Sequence, residues 1–577
     1  MIKVLFLFLI LSLTSCALQI RYFGEVPVKP GKYPQFTERD TVIWKLDASR
    51  DAYDVSYYEL DLYLEPVHKT LGGMVTMHFV ALKATDTIRF DLYENMSINN
   101  IIFNNEPLPP ARNDRAVYVT LPEKMIPGNS YSLRVSYSGK PTKARKPPWK
   151  GGLVWEKDKS GHPWIGVAVE TEGPSLWFPC KDHPSDEPDS MKLTMTVPEG
   201  LKVVSNGIMT HHEIGPVTET FTWETHYPIN PYNITFYAGY FVHFSDTLNT
   251  SQGVLSLDYH VMPENLDIAK LHFTQAKDVI KAFSAVFGPY PWIKEGYKLI
   301  ESPFEGMEHQ TAIAYGNGYK NFRSNGGDYI IIHETAHEWW GNAVSVSDFS
   351  DIWLQEGFAT YAEIIFAEHE LGYNNSLEYV KYSIAPYINN KLPVVGPTDV
   401  GFWDHRDNDV YYKGAMVLHT LRNVIADDSL FFDVIRSFYK TYALHSHPTT
   451  ADFISLVETK TGKEWDDFFD VYLYRREAPC LEWYYNCTSE PLEKLPWVIP
   501  DVPFIIARWS RVPEGFSMPV RFMCEDAELS VKLEVTTQPL LFYLPREMNC
   551  INPICNPELS YFEKVFSIEV LSEFERL

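Results

Sequence analysis

The segment HETAHEWWGN, His333 to Asn342, followed by WLQEG from Trp353 to Gly357, sets two histidines four residues apart with a glutamate beside the first and another nineteen positions past the second. Residues four apart on a helix share a face, so His333 and His337 can aim two imidazoles at one point. Two imidazoles and the Glu356 carboxylate form the ligand set of many catalytic zinc sites, which leave a fourth position to water, and Glu334 then stands as the base for that water. The competing reading is a chance pattern on an exposed helix. HExxH arises by chance roughly 0.03 times in a chain of this length, and the apolar run Tyr329 to Ile332, with aromatics around the motif, suits a buried helix instead. One zinc ion is the expected cofactor.

Three further segments sharpen the chemistry: EGMEHQTAIAYGN (Glu305 to Asn317), VYYKG (Val410 to Gly414), whose Tyr411 can bring a phenol to the metal, and VETEGPSLWFPCKDHPSDEP (Val169 to Pro188). With them the chain resembles the aminopeptidase N family of gluzincin metallopeptidases, which also includes leukotriene-hydrolysing epoxide hydrolases. The family's HExxH-x18-E is matched by His333, Glu334, His337 and Glu356. Its GxMEN element corresponds to Gly306, Met307 and Glu308, with His309 where asparagine is usual, and its Y-x-K-G tyrosine falls on Tyr411. The acidic or amide residue twelve positions before the aspartate of a P-C-x-D turn falls on Glu170, counting back from Asp182.

The resemblance implies that Glu308 and Glu170 hold the free α-amine of a peptide substrate, and an ammonium taken into a cleft does need carboxylate partners to offset its desolvation. It also implies that Tyr411 hydrogen-bonds a tetrahedral oxyanion while Glu334 moves the proton. Glu363, seven residues past Glu356 and so on the same helical face, can receive a ligand histidine's second nitrogen or lie at the surface. Three rival functions stand beside a zinc aminopeptidase. An epoxide hydrolase typically carries glutamine where this chain has Glu170. A catalytically inactive peptide-binding protein would have lost Glu334 or a ligand. A thermolysin-like endopeptidase has no use for the amine-binding GME segment.

These residues need a scaffold. Period-two runs at Tyr58, Leu60, Leu62 and Leu64, at Ile88, Phe90 and Leu92, and at Tyr131, Leu133, Val135 and Tyr137 predict an N-terminal antiparallel β domain. Near Pro263 the pattern turns helical: Asn265 can cap one helix through Ile268, Leu271, Ala276, Val279, Ile280, Phe283 and Phe287, stopped by Gly288 and Pro289. Alternation returns at Leu529, Val531, Leu533 and Val535. The expected architecture is multidomain α+β: a signal segment over 1–16, a linker over 17–50, the β domain over 51–255, an α-rich thermolysin-like catalytic domain over 256–490, and a short C-terminal β-sandwich over 491–577. The large helical C-terminal domain of many relatives does not fit in what remains.

The formal charge of −25 argues against a nucleic-acid binder, and the basic run Lys140 to Lys150 contains prolines that favour a solvated loop. The chain begins with Lys3, an apolar run from Val4 to Leu13, and Thr14, Ser15 and Cys16. This is a signal-peptide plan, and LTSC resembles the bacterial lipoprotein box, so a lipid anchor on Cys16 and a periplasmic or outer-membrane-surface location are expected, with no other membrane attachment. Of the six further cysteines, Cys480 with Cys487, or two among Cys524, Cys550 and Cys555, are disulfide candidates. Asn233 and Asn486 lie in Asn-x-Ser/Thr sequences that would be glycosylated only on a eukaryotic secretory route. Replacing Cys16 by serine is expected to release the protein from membranes or leave it uncleaved, as fractionation of expressing cells would show; equal membrane association of two correctly cleaved forms would reject the anchor.

Overall fold

The computed structural model describes residues 44–574 except 171, 323, 402–407, 445, 487–498, 500–501, 526–527 and 551–552. The signal segment, Cys16 and Cys487 therefore lie outside the described residues. The chain forms two compact units, one from Pro34–Ile388 and Val394–Trp465, the other chiefly from Asn389–Pro393 and Asp466–Leu577. Among the described residues no helix is long and apolar enough to cross a membrane.

In the larger unit the runs at Tyr58 to Leu64 and Tyr131 to Tyr137 join an eight-stranded sheet in the order Ile208–Ile214, Thr218–Thr225, Ser190–Pro198, Tyr53–Glu65, Thr70–Ala81, Ser130–Gly139, Met96–Phe103, Glu106–Pro107, while Ile88 and Phe90 lie on Thr87–Asp91 of a separate three-stranded sheet. Tyr58, Leu60, Leu62 and Leu64 are buried on one face, as the alternation requires. Neighbours run antiparallel except Tyr53–Glu65 and Ser190–Pro198, which pair in parallel with Leu60 opposite Leu193. A four-stranded sheet (Lys202–Ser205, Phe236–Gly239, Pro163–Ala168, Gly152–Lys157) follows, and Glu170 sits two residues past the end of its strand Pro163–Ala168.

A five-stranded sheet in the order Val242–Thr250, Gly253–Val261, Tyr297–Glu301, Ile313–Tyr315, Gly306–Met307 ends on the two-residue strand that leads straight into Glu308. Helices Tyr329–Ala336, Trp353–Leu371, Tyr412–Ile425, Asp428–Tyr442 and Thr450–Thr461 complete the catalytic part. The single helix expected from Asn265 to Phe287 is instead two, Leu266–His272 and Ala276–Val286, joined by a 3₁₀ turn at Phe273–Gln275. Asn265 makes no cap hydrogen bond: it ends a 3₁₀ turn, Pro263–Asn265, and its side-chain amide donates to Glu301 at 2.6 Å; the break leaves Ile268 and Leu271 at the surface.

The smaller unit holds a four-stranded sheet (Leu540–Tyr543, Phe504–Ser510, Cys480–Asn486, Glu563–Phe566) and a three-stranded one (Leu529–Thr536, Ser517–Cys524, Ile554–Cys555). A disulfide joins Cys524 to Cys550, while Cys180, Cys480 and Cys555 are free and buried.

Helices Trp353–Leu371 and Tyr412–Ile425 bring Glu356 and Tyr411 together because they touch at glycines: a Cβ on Gly357 would lie 3.0 Å from the Gly414 Cα, and the reverse holds equally. Gly414→Val should push the helices apart and cost about 1–3 kcal/mol, the usual penalty of overpacking. Thermal denaturation measures this, and an unchanged melting temperature would mean that the helices do not approach at these glycines.

Candidate active site

Asp328 starts the helix Tyr329–Ala336 by accepting the Ile330 N–H at 3.0 Å, and is itself pinned by Tyr315, Asn317 and His272 at 2.7 Å each. One turn on, His333 and His337 present their Nε2 atoms 3.1 Å apart, with Glu356 Oε2 at 3.5 and 3.4 Å from them. Each ring is anchored from behind: His333 Nδ1 lies 2.8 Å from Glu363 Oε1, whose other oxygen accepts from Tyr379, and His337 Nδ1 lies 2.8 Å from the Trp340 carbonyl. Both partners accept only, so each Nδ1 donates its proton and both Nε2 lone pairs point inward. Glu356 Oε2, buried, has no hydrogen-bond partner.

Three converging lone pairs with no proton among them call for a cation. Zinc bonds of about 2.0–2.1 Å at tetrahedral angles separate ligand atoms by about 3.3–3.4 Å, which the observed spacings straddle. His333, His337 and Glu356 therefore fit a zinc ion.

Glu334 faces the same cleft at 6% exposure. Burial pushes its carboxyl up to about 8 against the pull of His333 and His337, and a divalent ion close by would bring it down towards a base's working range. Gly306 passes so close that a Cβ there would overlap the Glu334 carboxylate. The Tyr411 phenol hydrogen-bonds Glu356 and stacks its ring 6.3 Å from that of His333; burial, then Glu356 and Glu170, raise its pKa, keeping it a donor.

Glu170 and Glu308 arrive from different sheets, yet a carboxylate oxygen of each lies within 4.8 Å of the other and of one from Glu356. Each has a buried Oε1 with no partner. Burial raises the carboxyl of both, reinforced at Glu170 by Glu308 and then Glu356. The two buried carboxyls thus face each other with acceptor atoms unmet.

What holds Glu308 was not legible in the sequence. Asn342 donates to its carbonyl at 2.8 Å and accepts from Asn233 at 2.8 Å; Asn233 accepts the Gln310 N–H at 3.3 Å, and Asn206 donates to the Gln310 carbonyl at 2.6 Å. Glu338 receives the Thr311 N–H at 3.0 Å, fixing a residue at φ 56°. Asn342 and Glu338 fall inside HETAHEWWGN, which is the one signal that could have found them. Asn233 is fully buried, so its Asn-Ile-Thr sequence is no glycosylation acceptor on the folded chain. His309, also buried, turns its Nδ1 to the Tyr237 hydroxyl at 2.6 Å.

The Peptidase family M1 domain matches residues 307–472, and the Peptidase M1 N-terminal domain matches residues 54–232. Aminopeptidase M1-B of Oryza sativa subsp. japonica is 23% identical over 337 residues, covering 53% of this chain and 36% of the relative. Aminopeptidase N of Lactococcus lactis subsp. lactis is 22% identical over 452 residues, or 74% of this chain and 51% of the relative. The chain thus spans about half the length, or less, of these curated relatives. A solved M1 zinc metallopeptidase from Deinococcus radiodurans shares the fold at TM-score 0.61 and 24% identity, covering 75% of this chain and 96% of that one; a mutant of it was solved with a Tyr-Ser-Ala substrate.

Glu334→Gln and Gly306→Ala should both keep the metal and lose turnover, the second by displacing the carboxylate, whereas His333→Ala or Glu356→Ala should lose the metal itself. Metal analysis beside activity separates the classes. Full zinc occupancy in His333→Ala would sink the ligand assignment.

Proposed function

This chain belongs to the peptidase M1 family, and we propose on that premise that it is a zinc-dependent aminopeptidase removing one N-terminal residue at a time from peptides with a free amine. The observation that carries this reading is the reach of the cleft: Glu170 and Glu308 lie with Glu356 inside a 4.8 Å set. An extended residue spans about 3.3–3.6 Å. A peptide whose amine meets the two carboxylates therefore lays its first carbonyl at the metal ligands, and no later one.

A single zinc ion held by His333, His337 and Glu356 would supply Lewis-acid polarisation of that carbonyl and acidify a bound water. Glu334 accepts the water's proton and returns it to the departing amine. Tyr411 turns its hydroxyl from Glu356 to the oxygen that gains charge in the tetrahedral state, a bond made only there and so expressed in turnover. Glu170 and Glu308 fix the register, and their carboxylates favour this activity over epoxide hydrolysis, where glutamine is usual at position 170. The apolar N-terminal run and LTSC support a lipid-anchored location at the bacterial cell envelope.

Acetylating a peptide's N-terminus removes the charge that the two carboxylates are placed to meet. Removing one partner of a buried charge pair costs about 3–5 kcal/mol, at least a hundredfold in kcat/KM at about 1.4 kcal/mol per tenfold. Free peptides should be shortened stepwise and acetylated ones hardly cleaved, and Glu308→Ala should shrink that discrimination. Internal cuts in the product masses would defeat the exopeptidase reading while leaving the zinc hydrolase intact.

A further inference from the structure

The two-residue strand Gly306–Met307 is the edge of its sheet, paired on one side only, with Ile313–Tyr315. It runs alongside the helix Tyr329–Ala336. At one end Glu308 lies in a 4.8 Å set with Glu334 and His337. In the middle Gly306 passes Glu334 and Ile330, where a Cβ on it would fall 3.1 Å from the Ile330 Cδ1. At the other end Glu305 accepts a hydrogen bond from the Tyr329 hydroxyl. From Glu305 to Glu308 a strand advances about 10 Å, and from Tyr329 to His337 a helix advances about 12 Å, so the two stay in step. Glu305 therefore stands at the end of the cleft opposite Glu308, with His333 and Glu334 between them.

The surroundings of this half-buried carboxylate suit a cation. Burial, then the bond to Glu305, raises the Tyr329 pKa, so the phenol donates and the carboxylate accepts. Among the described residues no lysine, arginine or histidine pairs with Glu305. Two ring pairs flank this end: Tyr329 with Phe322 at 5.0 Å, and Tyr412 with Tyr387 at 5.1 Å. Burial, then Glu363, Tyr387, Glu305 and Glu356, push the Tyr412 phenol up to about 12, so its ring feels the outer carboxylate and the ligand carboxylate together. Phe322 and Tyr387 are 46% and 54% exposed, which leaves this end open to a long side chain. A carboxylate beside aromatic faces receives an ammonium or a guanidinium.

Resting on the aminopeptidase reading above, we propose that Glu305 selects the second residue of the substrate, favouring peptides with arginine or lysine there. A peptide whose amine meets Glu308 and Glu170 brings its first carbonyl to the metal ligands. Its next residue lies about 3.3–3.6 Å further on, towards Glu305. A basic side chain from that residue reaches the carboxylate past the rings, whereas a glutamate there meets like charge. Glu305 sets specificity and moves no proton, because it faces the part of the substrate that departs with the new amine.

The test uses the zinc-loaded full-length protein and pairs of tripeptides that differ only in arginine or citrulline at the second position. Citrulline keeps the shape and removes the charge. The first residue is varied among alanine, leucine and arginine, the third is alanine, and release of the first residue is followed by mass spectrometry. Wild type should favour arginine about tenfold in kcat/KM, the scale of a hydrogen bond to a charged group, and the preference should shrink as salt is raised. It should disappear in Glu305→Gln, which keeps an oxygen for Tyr329. Glu305→Lys should reverse it, cleaving peptides with glutamate second faster than those with glutamine. Equal kcat/KM for both peptides in the wild type, a preference that salt leaves unchanged, or one that survives in Glu305→Gln overturns the proposal and leaves the aminopeptidase intact. Should Glu305→Gln fail to fold, the wild-type salt series and Glu305→Lys decide. No release from any free-amine peptide overturns both readings.

Discussion

Glu170, Glu308, Glu334 and Glu356 crowd one buried cleft, and the rest of the site answers to their mutual repulsion. Two carboxylates about 4.8 Å apart at an effective dielectric of about 20 repel by roughly 3–4 kcal/mol. Left alone, such a group lowers the cost by taking up protons, which is why burial and the neighbouring carboxylates raise Glu170 and Glu308 together. The cleft is thus short of positive charge: a divalent ion at His333, His337 and Glu356 would meet part of the deficit, and the rest falls at Glu170 and Glu308.

Such a deficit survives only on a rigid frame, because a flexible one would let the carboxylates swing out to water. The frame is supplied by apolar burial and by backbone-directed hydrogen bonds. Trp339, Trp340 and Trp353 are fully buried around the metal-bearing helices, and Trp340 lends its carbonyl to His337. Glycine sets the two closest approaches: Gly306 passes against Glu334, and Gly357 meets Gly414 where Glu356 and Tyr411 must come together. At each, a side chain would occupy the space that the chemistry uses.

Much of this was legible in the sequence where a periodicity or a spacing reports one contact. HExxH fixed a face of one helix, and the alternating strand Tyr53–Glu65 sorted itself into buried and exposed positions without ambiguity. What escaped were features set by residues distant in sequence. Asn265 has the type of a helix cap, but Glu301, 36 positions away, claims its amide, and the helix breaks at Phe273–Gln275. Asn233, read only as part of a glycosylation sequence, is instead bonded to Asn342, 109 positions away. Short polar side chains serve caps, turns and buried networks alike, and no local pattern says which. The parallel pairing of Tyr53–Glu65 with Ser190–Pro198 escaped for the same reason.

His309 shows how a departure from the family's pattern is absorbed. Where asparagine is usual after Glu308, this chain buries an imidazole, which burial holds far into its neutral form at about 3. Neutral, it bonds the Tyr237 hydroxyl rather than the cleft, and Tyr237 also donates to the Ala312 carbonyl at 3.0 Å. The His309 Nε2 stays buried without a partner, but the loop's backbone is held from elsewhere: by Asn342 at Glu308, Asn233 and Asn206 at Gln310, and Glu338 at Thr311. Those bonds fix the carbonyls and N–H groups on either side of residue 309. Its side chain is therefore free to vary in type so long as it stays neutral and fits against Tyr237. The position of Glu308, on which the proposed recognition of a free amine rests, is set by main-chain hydrogen bonds that a substitution at 309 does not touch.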